Sequence, residues 1–152
     1  MTAPARGGLH HLEIWVADLA SAESSWGWLL TELGYAVRDR WPVGVSWAQD
    51  AGPYVVLEAG PDVASAPHDR LRPGVNHVAF HAGTRAELDA LVAAAPEHGW
   101  SLMFADRHPF AGGPDHYAAY LEDRQGFEVE LVATDDQAAD GPASGGPAPS
   151  TP

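Results

Sequence analysis

Cysteine is absent from all 152 residues, so neither a disulfide framework nor a thiolate metal site can form. Basic residues are scarce: 8 Lys and Arg together stand against 21 Asp and Glu, for a formal net charge of -13. Such a chain repels phosphate backbones and anionic lipid surfaces, which argues against nucleic acid or a membrane as partner. Long apolar runs are also missing. None reaches the length of a membrane span, and the opening MTAPARGGLHH carries no apolar segment of the secretory type. The expected location is therefore the cytoplasm. What is present is an ordinary globular composition, 45% hydrophobic and 19% charged, in a length that suits one compact domain or two small fused modules. Any bound metal must be held by His, Asp or Glu, and the chain has 8 His.

An internal repeat organises the chain. HLEIWVADL (residues 11–19) aligns with HVAFHAGTR (residues 77–85): each opens on a histidine, continues as a short alternating strand, and runs into a helix. Asp18 signals the first helix start, and Thr84 with Glu87 forms a capping-box pattern at the second. Both helices are expected to stop at a glycine followed by an aromatic, Gly34-Tyr35 and Gly99-Trp100, where glycine suits a left-handed cap. The offsets His11 to His77 and Gly34 to Gly99 are 66 and 65 residues, so two independent register points agree. Three strand-like segments follow each helix: AVRDRW, GVSWAQD and YVVLE, then SLMFAD, YAAYLE and EVELV. Each half reads β-α-β-β-β. The expected division is an N-terminal extension (1–8), a first module (9–60), a Pro-rich linker (61–74), a second module (75–134), and a Gly/Pro/Ser-rich tail (135–152) read as disordered.

Strand side chains alternate between two faces. His11, Glu13 and Trp15 share one face of the first strand, and Leu12, Ile14 and Val16 share the face suited to packing on helices. Tyr54, Val56 and Glu58, then His77, Ala79 and His81, then Glu128, Glu130 and Val132, split in the same way. Two His and two Glu thus occupy the first and last strands of the two halves, on the face away from the helices. If that face curves inward they can converge as ligands for a divalent metal, since imidazole and carboxylate suit Fe, Mn, Co, Ni or Zn.

With HLEIWVADL, YVVLE, NHVAFH and DRQGFEVELV in this order and spacing, the chain resembles the vicinal oxygen chelate superfamily over residues 9–132. That superfamily includes glyoxalase I, extradiol dioxygenases, fosfomycin-resistance enzymes, methylmalonyl-CoA epimerase and bleomycin-binding proteins. The resemblance implies an α+β fold of two βαβββ modules forming a cupped mixed sheet around one metal. It places the ligands on His11, His77 and Glu130, with Glu58 as a fourth ligand or a base. It also implies a homodimer. Tyr120, ten residues before Glu130 in Tyr120-x-x-Asp123-x-x-Gly126-Phe127-Glu128-Val129-Glu130, resembles the extradiol signature, in which that tyrosine hydrogen-bonds the substrate. Arg124 stands where the signature has proline, and His116, the candidate acid-base histidine, is not at the usual spacing.

The leading expectation is a dioxygenase that cleaves or modifies an aromatic ring, chelating adjacent oxygens of a small substrate on a divalent metal, Fe2+ ahead of Mn2+, Ni2+, Co2+ or Zn2+. One alternative is a glyoxalase I-like lyase/isomerase or epimerase with Glu58 as base. The other is a metal-free drug-sequestering protein, against which the full ligand set argues. True lactoylglutathione lyase is disfavoured because so few basic groups are available to grip an anionic thiol peptide. His81, His108, His116 and Tyr117 are pocket candidates, and Trp15, Tyr54 and Phe104 are candidate apolar walls. Trp26 and Trp28 are expected in packing, with His10 pointing away from the site and Glu128 at its rim.

Overall fold

The computed structural model describes residues 6–50 and 52–134; the tail from residue 135, read as disordered, lies outside the described residues. The first half runs β1 (His11–Trp15), α1 (Leu19–Glu32), β2 (Ala36–Trp41), β3 (Gly44–Ala48) and β4 (Tyr54–Glu58). The second runs β5 (His77–His81), α2 (Arg85–Ala94), a short 3-10 turn (Ala95–His98), β6 (Trp100–Leu102), β7 (Ala118–Asp123) and β8 (Glu128–Val132). Two four-stranded mixed sheets result, β1-β4-β3-β2 and β5-β8-β7-β6. In each, the two outer strands of the repeat lie side by side and parallel: His11 pairs with Tyr54, and His77 with Glu128.

The helix signals act as expected at the starts. Asp18 accepts from the Ser21 backbone N–H, and Thr84 and Glu87 form a reciprocal capping box. Gly34 and Gly99 take φ of 87° and 85°, a left-handed conformation in which a Cβ would be strained. One boundary differs. The expected second helix reaches His98, but the α-helix ends at Ala94 and tightens to a 3-10 turn, because Pro96 has no N–H for the α-helical ladder. The strand expected from SLMFAD is shorter too. After the Met103 N–H bonds to the Tyr120 carbonyl at 2.8 Å, Phe104 turns to φ 52° and leaves the sheet.

Helix α1 lies between the sheets and makes one core of them. Trp26, fully buried, packs edge-on against Trp100 at 5.3 Å and Phe127 at 6.3 Å in the second half. Its neighbour Gly27 faces the other way, where a Cβ would come within 3.2 Å of the Trp47 ring on β3. Burying three tryptophans fully (Trp26, Trp47, Trp100) supplies much of the hydrophobic drive, on the order of 2–3 kcal/mol for each large side chain. Polar ties complete the joint. The Gln125 side-chain amide grips both the N–H and the carbonyl of Asp18, each at 2.9 Å. Gly126 (φ 87°) lets the linker cross the β7–β8 turn, since a Cβ there would lie 2.4 Å from the His68 carbonyl oxygen.

With the apolar faces turned onto α1 and α2, the opposite sheet faces are left outward. That is why His11, Glu13, Trp15, His77, Ala79 and His81 are all exposed. Among the described residues, no helix is long and apolar enough to cross a membrane.

Candidate functional site

Glu130 is the centre of the second half's outward face. It is 7% exposed on a strand whose neighbours Val129 and Leu131 are fully buried. A carboxylate in such a place is costly unless its charge is met by donors. Three side chains meet it. Nε2 of His77 lies 3.1 Å from one oxygen. Nε2 of His116 and the hydroxyl of Tyr120 share the other, at 2.5 and 3.0 Å. Burial alone would raise the Glu130 pKa. The hydrogen bonds from His116 and Tyr120, with the positive charge of His116 and His77, outweigh it and hold the group below the usual carboxylate value. Tyr120 responds in the opposite sense: burial, then its bond to Glu130, push its phenol up to about 12, so it is a neutral donor at ordinary pH.

Each member is placed by a separate element. Tyr120 pairs directly with Glu130 across the antiparallel β7–β8 ladder. His77 starts β5 opposite Glu128 and reaches diagonally to Glu130, two residues along. His116 arrives from the long loop before β7. That loop approaches so closely at Gly112 that a Cβ would stand 2.6 Å from both the His116 ring and the Tyr120 oxygen. Phe104 lies edge-on to Tyr120 at 5.6 Å and closes the other side.

The remaining expected ligands stand on the other sheet. Register places Glu58 opposite Trp15, four residues from His11's partner, so His11 and Glu58 are about 13 Å apart along the strand direction at about 3.3 Å per residue. Glu58 accepts from the Trp41 indole N–H at 3.2 Å. His11 is exposed, stacked on Tyr54 at 4.8 Å, with its Nδ1 2.9 Å from Nδ1 of His10. His10, expected outside the site, is thus the immediate neighbour of His11. By register the two glutamates are not counterparts in the repeat: Glu130 corresponds to Val56, and Glu58 to Val132. His77 and Glu130 come together; His11 and Glu58 do not join them. Among the described residues, no group of three or more His, Cys, Asp or Glu side chains has the geometry of a metal site. In the Glu130 cluster the carboxylate lies between the two imidazoles, so the donors point at one another.

The other pocket candidates separate. His81 lines a different cavity of about 420 Å3 with Glu32, Leu33 and Glu87. Tyr117 donates to Asp89 at 2.8 Å on the α2 side. His108 is half-buried in the loop, and Trp15 is half exposed beside Glu13, to which its indole donates at 2.8 Å. Of the two expected packing residues, Trp26 is in the core and Trp28 stacks on His98. Glu128, buried at 5%, is ion-paired with linker residue Arg70 at 3.0 Å, though that contact is too poorly aligned to satisfy Oε2 as a hydrogen bond. Two residues went unnoticed in the sequence. Asn76 bonds Nδ1 of His77 at 2.8 Å, and Arg70 covers Glu128. The Asn-His pair opening a strand was the available signal for Asn76; nothing local marks Arg70.

A family model described as the glyoxalase/bleomycin resistance protein/dioxygenase superfamily matches residues 10–120. The uncharacterised protein YqjT of Bacillus subtilis (strain 168) is 40% identical over 125 residues, 82% of this chain and 98% of YqjT. A crystal structure from Bacillus halodurans, described as a candidate glyoxalase, is 42% identical with a TM-score of 0.79, covering 85% of this chain and 97% of that one. At 15% identity and a TM-score of 0.57, the fold is also that of FosX, a fosfomycin resistance protein of Listeria monocytogenes. FosX was crystallised as a point mutant with Mn(II) and dihydroxypropylphosphonic acid; the match covers 84% of this chain and 90% of FosX.

Proposed function

The chain belongs to the glyoxalase/bleomycin resistance protein/dioxygenase superfamily, and on that premise we propose that it is a metal-dependent enzyme with its catalytic centre at Glu130, His77, His116 and Tyr120. The observation that carries this reading is the buried Glu130 carboxylate, on an otherwise apolar strand, met by two imidazoles and a phenol. His77 and Glu130 would hold one divalent cation, Fe2+ favoured over Mn2+, Ni2+, Co2+ or Zn2+; when bound it would act as a Lewis acid towards two adjacent oxygens of a small substrate. His11 and Glu58 are the further proposed ligands. Because they lie on the other sheet, they would come from a second copy of the chain in a homodimer. The uncovered face of β1, with His10 occupying Nδ1 of His11 and leaving Nε2 for a ligand role, supports this.

Within the site, the Tyr120 hydroxyl would turn from Glu130 to a substrate hydroxyl and orient it. His116 would take and return a proton at the same oxygen. The position of Tyr120 against Glu130, with Glu58 held by Trp41, favours a dioxygenase acting on an aromatic substrate with adjacent hydroxyls. The 42% identity to a candidate glyoxalase favours a second reading, a lyase/isomerase or epimerase with Glu58 as base.

Mn(II) titration followed by electron paramagnetic resonance tests the centre. His77→Ala and Glu130→Ala should each weaken binding by orders of magnitude, and His11→Ala likewise. Mixing His11→Ala with His77→Ala subunits should restore a fraction of the sites. Tight binding by the His77→Ala protein would end the assignment, and a mixture that recovers nothing would end its second-copy part. The two reactions separate on one accepted substrate. A general base contributes about 10²–10⁴-fold, so a dead Glu58→Gln beside a healthy Tyr120→Phe would select the lyase or epimerase.

A further inference from the structure

Arg124, which stands at the proline position of the signature around Tyr120, has no part in the Glu130 centre. It lies in the β7–β8 turn, between two residues that fasten that turn to α1. Asp123 accepts from Trp26, and Gln125 grips the backbone of Asp18. Arg124 is thereby held beside the first turns of α1. Gly99 approaches it with φ 85° and no side chain; a Cβ there would stand 3.7 Å from Arg124 Nε. His98 lies flat on Trp28 of α1, with ring centroids 4.3 Å apart. With Ser21, Ser24, Ser25 and Glu97, these residues line a cavity of about 290 Å3 across the joint between the two halves.

The donors of this cavity are unspent. Ser25 is buried and bonds back to the Ser21 and Ala22 carbonyls of its own helix. Among the described residues, the hydroxyls of Ser21 and Ser24, the ring nitrogens of His98 and the guanidinium of Arg124 have no hydrogen-bond or ion-pair partner. Elsewhere Arg38, Arg40, Arg70, Arg72 and Arg107 each sit on a carboxylate. In a chain with 21 Asp and Glu against 8 Lys and Arg, a guanidinium left without one is the exception. Glu97, the one acid on the lining, is exposed and does not pair with it.

We propose that this cavity binds the phosphate group of a small molecule. The planar fork of Arg124 supplies parallel N–H donors and the compensating charge. The two serine hydroxyls and an N–H of His98 meet the remaining oxygens. Small-molecule sites begin at about 300 Å3, so there is room beside the phosphate for the body of a small ester. The ligand would bridge α1 and the second half, and its binding would stabilise their joint. The site shares no residue with the Glu130 centre and does not depend on a metal.

The test is NMR of the 15N-labelled full chain, titrated with inorganic phosphate and separately with glycerol 3-phosphate, at one pH and with ionic strength matched by sodium chloride. Both should shift, saturably, the Arg124 Nε–H and the amides of residues 21–25 and Gly99, and both should raise the melting temperature. Arg124→Gln should weaken binding by about tenfold or more, and Ser24→Ala by about 2- to 10-fold. Both side chains are exposed, so neither change threatens the fold. Tighter binding of the ester would assign the site to a phosphorylated metabolite, and equal affinity would assign it to free phosphate. A titration that does not saturate, shifts reproduced by sodium chloride alone, or an affinity unchanged in Arg124→Gln overturns the proposal. Shifts centred on His77 and Glu130 instead would also overturn it.

Discussion

The indole N–H of Trp26 donates to Oδ2 of Asp123 across 3.0 Å, joining the helix of the first half to the β7–β8 turn of the second. The other oxygen of Asp123 accepts the backbone N–H groups of Gln125 and Phe127, both at 2.9 Å. Burial raises the Asp123 pKa, and those three bonds oppose the rise without cancelling it. The carboxylate thus serves as a buried joint in which both oxygens accept hydrogen bonds.

Asp123→Asn tests that joint. The amide oxygen must stay with the two backbone donors, so its NH2 faces the Trp26 N–H, two donors with no acceptor between them. The expected loss is about 1–3 kcal/mol, offset in part because the uncharged side chain is cheaper to bury. For a chain of this size the melting temperature should fall by roughly 2–10 °C. Adding Trp26→Phe to Asp123→Asn should lose less than the two single changes added together. Additive losses in calorimetry would show that the pair is not coupled.

Tyr120 gives a pH signature. Its folded pKa of about 12 lies above the ordinary 10, so the fold favours the neutral phenol. That contribution to stability is complete below about pH 10 and is lost as pH rises through 10 to 12. The ultraviolet difference between wild type and Tyr120→Phe should therefore show a phenolate forming near pH 12. A midpoint near 10 would mean that Tyr120 is neither buried nor bonded to Glu130.

Gly112→Ala should injure the site more than the fold. The glycine has no left-handed strain to lose, and the added methyl meets the side chains of His116 and Tyr120 at 2.6 Å. Those side chains can swing away, so melting should change by only a few degrees, while the Glu130 cluster loses its contacts. The phenol of Tyr120 should then titrate closer to 10. Unchanged Tyr120 titration in this variant would show that the loop at Gly112 is not packed as described.

The sequence alone determined the local elements, because their causes are local. A period of two in HLEIW and HVAFH, the Asp18 cap, the Thr84–Glu87 box and the glycines at 34 and 99 each act within a few residues. It also pointed to the faces on which His77, Glu130 and Tyr120 fall, since alternation along a strand is independent of its partner. Strand register was decided only by the folded chain. Shifting a strand by two residues keeps the same face outward, so alternation cannot tell Glu130's counterpart Val56 from Glu58. Long-range contacts were decided there too. His116 reaches Glu130 through a loop with no periodic pattern, Asn76 is locked by Arg70, and Trp26 finds Asp123 from 97 residues away. The separation of His11 from His77 has the same origin: the apolar faces of the two sheets are turned onto α1 and α2, and the histidine-bearing faces are left turned outward.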